Sequence, residues 1–223
     1  MGFLSRKFAQ IYFLMDLNFF KKSKLTVIFL IVFSTISIPV FYHLLKVDKK
    51  LKVYNPADVN PSLVDVSLKH ITKDHTISNF ELTNQNGETI TNKNYKDKIY
   101  VADFFFTRCT TICPKISTQI SRVQDTFEGD SEIKLISISV DPLHDRPAQL
   151  KSYAQRFDAN PAQWSFLTGE KKIIYPLILK GYHVPLADAS EYDQAIKNPD
   201  ETFIHSERLV LVDKEGIIRG FYD

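Results

Sequence analysis

The chain has 223 residues, 44% of them hydrophobic, with 28 Lys/Arg against 26 Asp/Glu, enough for one packed domain plus an accessory segment. The net charge of +2 is unevenly held: residues 1–45 carry five basic side chains and one acidic, 5 − 1 = +4, leaving 23 − 25 = −2 for the rest. That balance excludes nucleic-acid binding through charge, and only two cysteines exclude both a disulfide framework and an all-thiolate zinc site.

In chain order, Leu25 to Leu45 is 21 residues without a formal charge. At ~1.5 Å per residue a helix of that length spans the ~30 Å hydrocarbon core. The expectation is one transmembrane helix over residues 25–45, with residues 1–24 on the cytoplasmic side. A cleavable signal peptide fits worse, because the apolar core is too long and no small-x-small site follows. No cysteine follows that could carry a lipid, and Arg6 stands where N-myristoylation needs Ser or Thr. Lysines flank both ends (Lys21, Lys22, Lys24 before; Lys46, Lys49, Lys50, Lys52 after). Orientation therefore rests mainly on the oxidising compartment that the cysteines would favour. Pro39 and His43 read as kinking and interfacial residues. Met15-Asp-Leu-Asn-Phe-Phe-Lys-Lys makes a normal start to an anchored protein, so residues 1–14 are expected to be an over-extended start.

Residues 46–73 mix prolines with charge and read as a linker, followed by a domain over 74–223. Ile77 to Leu82, the turn Asn84-Gln-Asn-Gly87 and Thr89 to Thr91 predict a β-hairpin. Ile99 to Phe106 has the β-branched and aromatic content of a buried strand. After it come the two cysteines, in Cys109-Thr-Thr-Ile-Cys113-Pro114, and then Ile116, Ile120, Val123 and Phe127 at helical spacing, with Pro114 at the expected first helical position. Ile133 to Val140 predicts a second buried strand. A helix should open at Arg146-Pro147 and carry Leu150, Tyr153, Ala154 and Phe157. Trp164 to Leu167 follows as a strand, Glu170 to Gly181 as a helix, and Phe203 to Val212 with Ile217 to Tyr222 as a terminal hairpin. This order predicts an α/β sandwich with a parallel portion and antiparallel additions.

The cysteines thus fall on a strand-to-helix turn, where unpaired N–H groups and the helix dipole favour a thiolate. Three residues between them, one more than in the usual redox spacing, still permit a disulfide but also let two sulfurs converge on a third body. A soft ion such as Cu(I) accepts two thiolates and an imidazole. Of the six histidines, His43 lies in the apolar segment, and His70 and His75 in or beside the lead-in. His183 follows a helix end where a cation is welcome, and His144 lies in a loop that can approach the cysteines. His205 opens the predicted terminal hairpin, which this topology can bring beside the cysteine turn, so it is the first candidate for a third ligand.

Three stretches together, Phe104-Phe-Phe-Thr-Arg-Cys109-Thr-Thr-Ile-Cys113-Pro114, Ser139-Val-Asp-Pro-Leu-His-Asp145-Arg-Pro147 and Ile204-His205-Ser-Glu-Arg-Leu-Val-Leu-Val-Asp-Lys-Glu-Gly216, resemble the Sco/SenC family over about residues 75–222. The resemblance implies a thioredoxin-like sandwich, a central mixed sheet flanked by helices with an N-terminal β-hairpin extension, held at a membrane by the single N-terminal helix. It implies copper, as Cu(I) and also Cu(II), bound by Cys109, Cys113 and His205. The partners it implies are the copper-binding subunit of cytochrome c oxidase, whose binuclear centre would be assembled, and other copper carriers or thiol reductants. Asp141 and Asp145 match the acidic positions of the middle stretch and are expected to shape the loop around the ligands, Asp141 by capping the turn. The implied location is a bacterial inner membrane with the domain in the periplasm. The alternative is the mitochondrial inner membrane facing the intermembrane space.

The main rival is a thiol-disulfide oxidoreductase in which Cys109 and Cys113 are catalytic. Such enzymes of this fold usually carry a proline facing the cysteine pair before a late strand, and none occurs after Pro199. A metallochaperone is therefore expected rather than an enzyme. A structural disulfide and a peroxidase using Arg108 beside Cys109 are weaker readings.

Overall fold

The structure is a computed structural model that describes residues 23–45, 51–55, 75–188, 203–205 and 207–222, with the backbone alone for 204 and 205. The chain divides into two units, residues 1–50 and 51–223. In the first, helix α1 spans Lys24–Leu45 with Pro39 inside it. It is long and apolar enough to cross a membrane.

The second unit is built on a seven-stranded sheet. Its strands in chain order are β1 (Glu81–Asn84), β2 (Thr89–Thr91), β3 (Ile99–Phe105), β4 (Ile133–Ser139), β5 (Trp164–Thr168), β8 (Leu209–Val212) and β9 (Ile218–Tyr222), and they lie in the order β2-β1-β5-β4-β3-β8-β9. The three central strands β5, β4 and β3 are parallel, whereas β1 and β8 add to them antiparallel. Helices α2 (Cys113–Thr126) and α3 (Pro147–Gln155) form the two crossovers. This is the mixed, helix-flanked sheet that the thioredoxin-like reading requires. The parallel strands read as continuous apolar runs because helices cover the sheet. Tyr100, Ala102, Phe104 and Phe105 of β3 and Leu135, Ile136 and Ile138 of β4 are all buried.

Several expectations are corrected. The hairpin forms, with Gly87 in the left-handed region at φ 81° and the Asn84 Oδ1 accepting from the N–H groups of Asn86 and Glu88, each at 2.9 Å. Its first strand, however, starts at Glu81 rather than Ile77. Ile77 instead donates its N–H to the carbonyl of Gly216 at 2.9 Å. Pro114 is the second helical residue and Cys113 the first, a position proline also tolerates because its N–H would be unsatisfied there. The helix predicted over 170–181 is α-helical only as α4 (Lys171–Pro176). It then widens to a π-turn over Leu177–Gly181, where Tyr182 N–H reaches back five residues to Leu177 O at 3.0 Å. Pro176 withholds an N–H from the helical ladder at the point of change.

The largest correction concerns Phe203 to Val212, expected as one strand. It is two: β8 lies in the main sheet, whereas β7 (Phe203–His205) pairs antiparallel with a strand not foreseen, β6 (Leu186–Asp188), in a separate ribbon. His205 stands opposite Leu186.

Candidate metal centre

The cysteine loop leaves the C-terminal end of β3, where the parallel sheet delivers side chains to one edge. Cys109 N–H donates to Phe106 O at 3.2 Å, closing the turn, and Cys113 begins α2. Cys113 N–H, one of the donors a helix start leaves without a helical acceptor, points at Cys109 Sγ at 3.3 Å. Both side chains are thiols rather than a disulfide, and their exposures are 5% and 1%. The helix start was expected to favour a thiolate. At Cys113 the opposite holds, because its hydrogen bond with the Cys109 sulfur, then burial, push the thiol upward, with the Asp103 carboxylate adding to the effect. A soft cation that displaces the protons fits two adjacent buried sulfurs, since thiolates are its preferred donors and metal binding drives their deprotonation.

Two aspartates hold the loop. Asp145, fully buried, accepts at Oδ2 from Thr107 N–H at 3.0 Å and from Ser139 Oγ at 2.6 Å, and at Oδ1 from Thr107 Oγ1 at 2.5 Å. It thereby ties the end of β4 to the residue two before Cys109. Burial raises its carboxyl above the usual range against these three lowering hydrogen bonds. Asp141, expected to cap a turn through its side chain, instead pairs with Arg108 at 2.5 Å and 3.1 Å. That engagement ties the arginine to the loop that follows β4. The turn itself is closed by the backbone, with His144 and Asp145 N–H groups donating to Asp141 O.

The third predicted ligand, His205, is placed by its strand. Phe203, two positions earlier in β7, packs its ring on Phe106 with centroids 5.0 Å apart. Phe106 lies three residues before Cys109, so β7 runs beside the cysteine loop, and the His205 side chain lies outside the described residues. His70 lies outside them too. Among the described residues no cluster of three metal-ligating side chains occurs.

His183 follows the helix end, where a cation is welcome, but the fold does not favour its charged form. It is buried, with φ 56°, and lies against His75 with ring centroids 4.1 Å apart, while His75 Nε2 donates to Gly181 O at 2.9 Å. Burial, then the neighbouring His75, lower its pKa to about 4. A folded-state value below the unfolded ~6.5 means that its stabilisation is complete above pH 6.5 and is lost as pH falls toward 4. Unfolding measurements at pH 7 and pH 4.5 should differ by about 2–3 kcal/mol from this group. His183→Asn, which tolerates the positive φ, should flatten that dependence, and an unchanged slope would refute the assignment.

Sequence reasoning missed Asp103. Buried in β3, it accepts from Ser137 Oγ at 2.5 Å, while Trp164 Nε1 donates to the same hydroxyl at 2.8 Å. An acidic residue inside an otherwise apolar strand was the signal available.

A family model described as SCO1/SenC matches residues 69–223. The SCO1 protein homolog of Bacillus subtilis is 30% identical over 151 residues, covering 67% of this chain and 78% of that protein. Among solved structures, copper-bound ScoI of Bradyrhizobium japonicum is 30% identical with a TM-score of 0.58, covering 67% of this chain and 90% of that one. BsSco, a member of the Sco family of cytochrome c oxidase assembly proteins in which a disulfide switch is identified, is 29% identical with a TM-score of 0.54 over 67% of this chain and 83% of that one.

Proposed function

The chain belongs to the SCO1/SenC family, and from that premise we propose that it carries copper through Cys109, Cys113 and His205 and delivers it to the binuclear copper site of cytochrome c oxidase. The observation that carries this reading is the pair of buried thiols with Cys113 N–H on Cys109 Sγ at 3.3 Å. The strand bearing His205 is brought to the same loop by the Phe106–Phe203 contact. Two thiolates and an imidazole are a soft, low-coordinate donor set suited to Cu(I). Transfer proceeds by ligand exchange, the acceptor's thiolates replacing Cys109, Cys113 and His205 in turn, so that no bare ion is released. α1 anchors the domain at an inner membrane with its amino end in the cytoplasm and the domain in the periplasm. In a mitochondrion the same topology faces the intermembrane space.

His205→Ala should lower Cu(I) affinity at least tenfold in anaerobic competition with a chelator. Unchanged affinity would remove the histidine from the site.

A second reading is favoured by the same adjacency of the sulfurs. Cys109 and Cys113 can pass two electrons and two protons to an acceptor disulfide, closing their own disulfide as the acceptor's opens. The two roles compete for the same thiolates. Efficient turnover of insulin disulfides by the full chain, with no copper retained after anaerobic loading, would make reduction the primary activity.

A further inference from the structure

Leu143 is the most exposed large apolar side chain described in the unit of residues 51–223, at 76%. It is held on a fixed support. The loop beneath it is closed by His144 N–H and Asp145 N–H on Asp141 O at 3.1 and 2.9 Å, and Asp141 and Asp145 tie that loop to Arg108 and Thr107 of the cysteine loop. A loop held in this way leaves little ordering cost for a partner to supply. Leu143 also stands between two depressions. One, of about 320 Å³, is shared with Arg108, Asp141 and Phe203 and so adjoins the cysteine loop. The other, of about 590 Å³, is lined by Arg146, Lys171 and Lys172 against the single carboxylate of Glu170.

The charge here runs against that of the surrounding sequence, since residues 46–223 sum to −2. Lys171 is matched by Asp188 at 2.6 Å, and Lys172 pairs with Glu170 at a solvated surface, in a pair held so weakly that its ammonium can change partners; with Arg146 the five groups sum to 3 − 2 = +1. Arg146 has no ion-pair partner among the described residues. Cys109 and Cys113 are buried, so an acceptor that takes copper from them must seat its own thiols within reach of this loop.

We propose that Leu143 and the basic rim of Arg146 and Lys172 form the docking surface for the copper acceptor, whose complementary face presents an apolar hollow for Leu143 ringed by carboxylates. This rests on the delivery reading above and adds to it which surface is used and what chemistry it recognises. The rim sets the rate of encounter and its salt dependence, and the leucine sets the lifetime of the complex.

The test uses the full chain in detergent and the purified, copper-free soluble domain of the oxidase's binuclear-copper subunit. Binding of that domain and copper transfer to it are read separately, with Cu(I) affinity as the control. Leu143→Ala, and Arg146→Glu combined with Lys172→Glu, should each weaken binding and slow transfer at least fivefold. In the charge-reversed variant added salt should no longer weaken binding but strengthen it, and Cu(I) affinity should stay within twofold of wild type in both. Binding and transfer equal to wild type in both variants would overturn the docking surface. If the wild type binds copper but transfers none, the delivery reading fails. The docking surface then stands only if binding of the domain still falls in these variants, and is overturned if it does not.

Discussion

Replacing Cys113 by serine is expected to lower Cu(I) affinity by well over 100-fold while leaving the domain folded. The hydroxyl is a hard donor that stays protonated at neutral pH, so one of two soft ligands is lost outright. Cys113 is 1% exposed at the first position of α2. Changes in residues that only orient ligands typically cost 10–100-fold, which sets the threshold the variant must exceed. The fold should persist because serine is close in size and the backbone N–H that meets Cys109 Sγ remains. Cys109→Ser should behave alike. Anaerobic chelator competition, with circular dichroism as the control for folding, decides. Affinity within tenfold of wild type would show that the sulfurs are not the ligands.

The second large effect is expected at Asp145, remote from the cysteines in sequence but tied to their loop through Thr107. Asp145→Ala removes the acceptor for three donors, Thr107 N–H, Thr107 Oγ1 and Ser139 Oγ, in a place closed to water. Orphaning buried donors costs about 1–3 kcal/mol each. The two hydroxyls can rotate to other acceptors, and removing a desolvated carboxylate returns part of the cost. The net loss should be about 2–4 kcal/mol. Copper affinity should fall by ~10–100-fold, the range for residues that orient ligands. Asp145→Asn is the informative companion. Its carbonyl can take over the Oδ2 contacts, and Thr107 Oγ1 can turn to accept from its amide, so it should cost only about 1 kcal/mol. Urea unfolding of the full chain followed by the fluorescence of Trp164, the single tryptophan, measures both. Equal losses for Ala and Asn would mean that charge, and not satisfied hydrogen bonding, holds the loop.

The parallel centre was legible because β3 and β4 are buried on both faces and so read as unbroken apolar runs bounded by turn residues. The cysteine turn was legible because Pro114 marks a helix start and the apolar residues behind it keep helical spacing. The ribbon of β6 and β7 was not. Leu186–Asp188 and Phe203–His205 are three residues each, too short to show a period, and they are strands because each supplies the other's hydrogen-bond partners. The state of His183 was hidden for a related reason. Its position after a helix is one that welcomes a cation, but burial in the core and then His75, more than 100 residues away in sequence, make the charged form costly.

The sequence by itself determined the apolar anchor, the α/β order and the two cysteines at the head of a helix, because period, length and turn chemistry are local properties written in neighbouring residues. Only the tertiary structure decided that Asp145 and Asp141 are the struts of the cysteine loop. It alone set Cys113 against Cys109 with its thiol pushed up, and brought the strand carrying His205 in through Phe203 on Phe106. Those outcomes depend on burial and, for the aspartates and the Phe203 contact, on partners 33 to 97 residues apart. A carboxylate, a thiol or an imidazole acquires its protonation and its role from what the fold places against it.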